Sequence, residues 1–166
     1  MLLTKLKTIG VFFLILSFKQ AIAYDLSGVD TTYNFGTIAV PFPTLTLTDN
    51  TICVGYTILL EASNYRIRAT SSGSASTAFQ MTNTTNNTYK LNYSVSWAGS
   101  ASSPSFVSLL SGQNSSSTFP AQLLGALTCL LLPSNATLRL QLLSANQQLA
   151  KQGIYTDTLT ILIVAP

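Results

Sequence analysis

The chain has 166 residues, of which 47% are apolar and 8% are charged. This composition excludes a disordered tail and suits one small domain with a substantial core. Lys5, Lys7 and Lys19 all lie near the start of the chain. Without these lysines the basic and acidic residues balance, so the charge does not indicate nucleic acid or another polyanion as a partner.

The sequence offers little for catalysis or metal binding. Histidine, the most common general base and metal ligand, is absent. There is no glycine-rich phosphate loop and no local cluster of metal ligands. We therefore expect no enzyme activity and no catalytic, metal or cofactor site, although folding could still bring two carboxylates together. The carboxylates are Asp25, Asp30, Asp49, Glu61 and Asp157.

Residues 1–23 have the pattern of an export signal. Positive charge precedes an apolar run at residues 9–18, and an A-x-A cleavage pattern ends at Ala23. We expect cleavage after Ala23, export, and a single mature domain at residues 24–166. A retained membrane anchor is the alternative, but the apolar run is short for a bilayer span. No later stretch is long and apolar enough to be a span.

The chain contains 2 cysteines, Cys53 and Cys129, each in an apolar stretch. An exported chain meets oxidising conditions, so we predict one disulfide between them. Two free, buried thiols are the alternative.

Short apolar and alternating segments predict a series of strands in the first half of the chain. Residues 44–48 alternate, with their leucines inward, and residues 51–62 form a long apolar strand. Residues 65–69 alternate with Arg66 and Arg68 on a solvated face.

The clearest strand is residues 89–97, where a period of two excludes a helix. The opposite face of this strand is wholly polar, so we interpret the apolar row as a core face rather than a binding platform. The row consists of Tyr89, Leu91, Tyr93, Val95 and Trp97.

The second half adds three apolar segments. Residues 121–132 are apolar, and residues 137–142 alternate, although the spacing that follows also suits a helical turn near residues 145–151. Residues 158–164 are β-branched or Leu throughout, which predicts a strand. The far end of this strand is apolar on both faces, as in a strand with other strands beside it and layers above and below it. Either an earlier segment of this chain or another chain must supply the neighbouring strand.

About seven or eight short strands separated by polar turns predict an all-β fold. The expected architecture is an antiparallel, two-sheet sandwich of immunoglobulin-like type. The corner at residues 153–155 fits this fold, since Tyr155 can bond back to the backbone as a tyrosine corner. A disulfide that joins an early strand to a late one fits as well.

Several short motifs, in this order, resemble those of spore coat protein U-like domains, which are similar to the pilin subunits of archaic chaperone–usher pili. The resemblance covers most of the mature chain. Its motifs are Tyr33-Asn-Phe-Gly36, Thr51-Ile-Cys53 with Tyr65-Arg-Ile, Met81-Thr-Asn with Leu91-Asn-Tyr93, and the closing Gly153-x-Tyr-Thr-Asp-Thr-Leu-Thr.

This resemblance implies an immunoglobulin fold that lacks its last strand. A periplasmic chaperone would fill the gap left by that strand. At an outer-membrane usher, a neighbouring pilin-like subunit would then replace the chaperone. Leu159, Ile161 and Ile163 would lie beside the open groove. Residues 24–30 are short and weakly alternating for a donor strand, which leaves a shaft, terminal or minor position open.

The function implied is a non-enzymatic structural subunit of a surface fibre, a pilus or fimbria, exported to the periplasm and then to the cell surface or the medium. The alternative is a self-complete secreted β-sandwich that acts as an adhesive or carbohydrate-binding module. The two differ in whether the fold needs a strand from another chain.

Overall fold

The computed structural model describes residues 24–30, 32–36, 43–56, 64–74, 76–123, 129 and 133–166. The expected export signal, residues 1–23, lies outside these ranges. The regular secondary structure of the described chain is mostly β, with a short helix, α1 (Ser144–Gln147). Its strands are β1 (Tyr24–Ser27), β2 (Leu45–Tyr56), β3 (Asn64–Ser71), β4 (Phe79–Asn83), β5 (Lys90–Ala98), β6 (Val107–Ser108), β7 (Phe119–Pro120), β8 (Gln122–Leu123), β9 (Ala136–Leu142), β10 (Tyr155–Thr156) and β11 (Leu159–Val164).

The strands form two sheets. The larger sheet has the order β1-β2-β9-β5-β4-β10, with β6 beside β5 and β8 beside β2. The smaller sheet has the order β11-β3-β7. Every pairing is antiparallel among the described strands except that of β2 with β8. One apolar core includes residues of both sheets, so the predicted all-β, antiparallel sandwich is confirmed.

The apolar row of β5 is a core face, as the alternation predicts. Leu91, Tyr93, Val95 and Trp97 are buried. The assignment of Tyr89 to this row is wrong, because its side chain is 40% exposed and it precedes the strand. Its backbone N–H donates to the carbonyl of Asn86, which places it in the turn before β5. Apolar periodicity alone does not mark where a turn ends.

The neighbouring strand β9 and strand β3 of the other sheet add to this core. Leu138, Leu140 and Leu142 of β9 are buried, and Tyr65 of β3 accepts a hydrogen bond of 3.1 Å from the indole Nε1 of Trp97. This contact joins the two sheets.

The outward arginines of β3 are partly exposed, as the alternation predicts, and each also donates a hydrogen bond to a distant loop. The Arg66 Nη1 donates to the Ser115 carbonyl at 2.7 Å, and the Arg68 Nε donates to Asn114 Oδ1 at 2.8 Å. Both side chains therefore help to hold a loop that runs beside β3 and bonds to its backbone. Local alternation can assign a face, but it cannot reveal a distant loop that binds there.

The structure contains a Cys53–Cys129 disulfide, with the two Cα atoms 5.6 Å apart. Cys53 lies in β2, but Cys129 has helical backbone geometry rather than the strand expected for residues 121–132. Only the beginning of that apolar stretch, β8, is a strand among the described residues. The predicted helical turn near residues 145–151 corresponds to α1.

Candidate functional site

The closing strand β11 lies at an edge of its sheet. It pairs with β3 along its full length, from Leu159 opposite Ser71 to Val164 opposite Arg66. No other strand pairs with it among the described residues. Its inner face packs on the core, but Leu162 on the outer face is 49% exposed. The expectation that β11 is covered on both faces is therefore wrong for the outer face.

A cleft of about 540 Å³ lies between β11 and the segment that follows β1. Residues 155–159 and Ile161 line one side, and Tyr33 and Phe35 are among the residues that line the other. The apolar residues Met81, Tyr93 and Leu140 of the larger sheet also line the cleft. The core is therefore reachable from solvent beside the edge strand.

A second cleft, of about 580 Å³, has α1 and the turn before β10 along one side. Leu91 and Leu142 of the larger sheet line it as well. Both clefts share four lining residues, so we treat them as one groove, called here the edge groove. The shared residues are Tyr33, Phe35, Met81 and Tyr155.

Leu159 and Ile161, which the resemblance places beside an open groove, both line the edge groove. Ile163 lies on the same face of β11 and packs on the core, but it does not line either cleft. Tyr155 lies at the junction of the two clefts. The structure thus brings three of these four residues to one site.

Tyr155 forms a tyrosine corner. Its hydroxyl accepts a hydrogen bond from the Lys151 N–H at 2.9 Å and donates one to the Lys151 carbonyl at 3.0 Å. The turn between them needs glycine at position 153, where φ is +140° and a Cβ would lie 2.3 Å from Asn83 Nδ2. The corner fixes the chain where it enters β10.

Asp157 anchors the crossing between β10, in the larger sheet, and β11, in the smaller one. Its Oδ2 accepts hydrogen bonds from the hydroxyls of Ser71, at 2.6 Å, and Tyr93, at 2.7 Å. Its Oδ1 accepts from the Ser72 hydroxyl and the Gly73 N–H. Burial alone would raise the pKa of Asp157, but these donors outweigh it and hold the pKa below its ordinary value.

Asp49 plays a matching part on the opposite side of the edge groove. Its Oδ2 accepts hydrogen bonds from the Tyr33 hydroxyl at 2.6 Å and the Asp30 N–H at 3.2 Å. Its Oδ1 accepts from the hydroxyl and the N–H of Thr51. Burial opposes ionisation, but the hydrogen bonds lower the pKa of Asp49 overall. Asp49 therefore ties the segment after β1 to β2.

Sequence reasoning missed several residues of this site. Tyr33 and Phe35 belong to a motif of the resemblance, but the sequence does not place them in a groove, and Asp49 and Asp157 are only two of five scattered carboxylates. The two aspartates could have been noticed in the sequence. A carboxylate inside an apolar or hydroxyl-rich strand region needs several hydrogen-bond donors when the chain folds. The partners of each carboxylate are distant in sequence, so they could not be named.

Apolar side chains make up much of the lining of the edge groove. Asp157, which lines the groove, and Asp49, which holds the lining residue Tyr33, each accept four hydrogen bonds from the protein. Within the described ranges, no three acidic or cysteine side chains come together as a metal site. None of the helices there has the length and hydropathy of a membrane span.

Comparison with solved structures finds chains of similar fold. No family model matches the sequence, and no curated protein matches it. The fold is similar to a chain in a solved chaperone–tip adhesin complex from CFA/I fimbriae biogenesis, with a TM-score of 0.60 and 13% identity. The match covers 87% of this chain but 41% of that chain. At this identity the likeness shows the fold, and membership of the spore coat protein U-like family stays a prediction.

Proposed function

We propose that the protein is a non-enzymatic structural subunit of an extracellular surface fibre, of the pilus or fimbria kind. Its edge groove receives an extended strand from another chain, which pairs with the free edge of β11. The observation that carries the proposal is the position of that edge. Among the described residues, β11 has a strand partner on one side only, and a cleft into the core lies beside it.

The free edge of β11 favours the binding of an extended chain. An edge strand presents backbone donors and acceptors to any extended chain, and strand addition satisfies them. Alternate side chains of the added strand would point into the groove, against Leu159, Ile161 and Leu140. Backbone pairing would supply affinity, and these apolar contacts would supply selectivity.

The proposed assembly route follows from the resemblance and is supported by the shared fold. A periplasmic chaperone would occupy the groove after export, an outer-membrane usher would deliver the subunit, and a pilin-like neighbour would replace the chaperone. The Cys53–Cys129 disulfide suits an oxidising compartment. Together with the predicted signal at residues 1–23, it supports a path through the periplasm to the cell surface.

A self-complete adhesive module is the second candidate, and one observation favours it. Tyr33 and Phe35 already lie over part of the groove and pack against the core. If those contacts complete the fold, the groove would be a surface feature and not a gap. The two functions then predict different behaviour for the isolated protein.

The state of the isolated, processed protein separates them. We expect it to be of low stability or to oligomerise alone, and to become a stable monomer when a peptide of alternating Val and Thr is added. Analytical ultracentrifugation and thermal unfolding, with a scrambled peptide as control, provide the measurement. A stable monomer that ignores the alternating peptide would favour the self-complete module.

A further inference from the structure

We infer that residues 32–36, called here the strap, are a displaceable occupant of the edge groove that imitates the incoming strand. The inference rests on the proposed function and adds the chemistry of the strand that can enter. Exposure alternates along the strap, with Tyr33 and Phe35 partly buried between exposed neighbours. Two aromatic side chains, two residues apart, therefore face the core as they would from an inserted strand.

The position of these side chains makes them competitors. Both line both clefts, so they lie where the clefts meet. The ring of Phe35 contacts that of Tyr93 edge-on, with centroids 6.4 Å apart. A strand that runs along the free edge of β11 and spans both clefts must take over this contact.

The strap is held in a way that allows release. Within the described ranges, none of its backbone groups takes part in a backbone–backbone hydrogen bond. Its attachments to other described residues include the Tyr33 hydroxyl on Asp49 and the two aromatic contacts with the core, and the Gly36 N–H donates a local bond to Asn34 Oδ1. An incoming strand can add the ladder bonds with β11 that the strap does not make.

The strand that displaces the strap should therefore carry two large apolar side chains, two residues apart, to replace Tyr33 and Phe35. Small side chains at these positions would leave the cavity lined by Met81 and Tyr93 unfilled, which costs affinity. Selection would depend on size at these two positions rather than on charge.

The test uses the full processed chain and two labelled nine-residue peptides in which apolar residues alternate with Thr. One peptide has Phe at two successive inward positions, and the other has Ala at the same two positions. Fluorescence anisotropy gives association rates. For Phe35→Ala we expect the midpoint of thermal unfolding to fall while association of the Phe peptide becomes about tenfold faster, because the competent state is more populated. Tyr33→Phe, which keeps the ring and removes the bond to Asp49, should act in the same direction with less loss of stability.

Phe106→Ala is the matched control, since the Phe106 ring contacts Arg139 and does not line the edge groove. It should leave association unchanged. Slower or equal association for both Phe35→Ala and Tyr33→Phe, with the wild type still binding, would overturn the strap inference and keep the proposed function. Equal affinity for the two peptides would also overturn it. Failure of every form to bind any alternating peptide would overturn both.

Discussion

The Tyr93 hydroxyl donates a hydrogen bond of 2.7 Å to Asp157 Oδ2, and this bond ties the centre of the larger sheet to the crossing between the sheets. Tyr93 belongs to the apolar face of β5, whereas Asp157 precedes the edge strand. The bond fixes where β11 begins relative to the floor of the edge groove.

Asp157→Asn should destabilise the fold by about 2 kcal/mol, since hydrogen bonds to a charged acceptor contribute roughly 1.5–3 kcal/mol. An amide has one accepting oxygen where the carboxylate has two, so two of the four donors lose their acceptor. Chemical denaturation gives the free energy of unfolding. Asp25→Asn is the control, because its carboxylate accepts no hydrogen bond from the described residues. Equal effects of the two substitutions would contradict the role of Asp157.

Acid should weaken the fold through Asp49 and Asp157. Both have a folded-state pKa below the ordinary value of 3.8. Each therefore contributes stability that is present above that value and is lost as the pH falls toward the folded-state pKa. We expect the midpoint of thermal unfolding to fall once the pH is below about 4. The double variant Asp49→Asn, Asp157→Asn should be less stable at neutral pH and show a flatter acid profile; an unchanged slope would contradict this account.

Alkali should reveal the buried tyrosines. Burial raises the pKa of Tyr65 and Tyr93 well above 10.0, and burial together with Asp49 does the same for Tyr33. Stability from these groups is complete below pH 10 and is lost as the pH rises above it. Ultraviolet absorbance of tyrosinate should show these three among the 7 tyrosines ionising only as the fold is lost. Ionisation of all tyrosines near pH 10 with retained circular dichroism would contradict it.

Reduction of the disulfide should lower stability. The bond closes a separation of 76 residues, and the chain-entropy relation gives an upper value of about 4–5 kcal/mol for a loop of this length. Denaturation with and without reductant measures the change. Two thiols that react with a labelling reagent in the unreduced, unfolded protein would show that the bond is absent.

The sequence predicts those features that depend on local alternation. Residues 89–97 and 137–142 gave the central strands, and Gly153 with Tyr155 indicated the corner. The site was predicted only on one side, at Leu159 and Ile161. Its other side depends on residues 32–36 meeting Tyr93 and Asp49 across the fold. Contacts of that kind leave no periodic signal, because a segment held by side chains without a hydrogen-bond ladder has no fixed register.

The outcome for Cys129 shows the same limit. An apolar stretch of this length is compatible with a strand or with a helix, and periodicity does not distinguish a buried strand from a buried helical segment. The pairing with Cys53 was predictable from the compartment, but the backbone geometry at Cys129 was not.

The most direct test of the central claim is to supply the missing strand in cis. An alternating apolar strand, joined after Pro166 through a short flexible linker, can fold back onto the free edge of β11 and into the edge groove. We expect the midpoint of thermal unfolding of the extended protein to lie about 10 °C or more above that of the unextended protein. A paired strand contributes a few kcal/mol, and each kcal/mol shifts the midpoint of a domain of this size by several degrees. A fused strand of the same composition in scrambled order should give no rise, and Ile161→Asp should abolish the gain while its own effect on the unextended protein is measured alongside. An unextended protein that is a stable monomer, with a midpoint that the fused strand leaves unchanged, would contradict the claim that the groove awaits a strand.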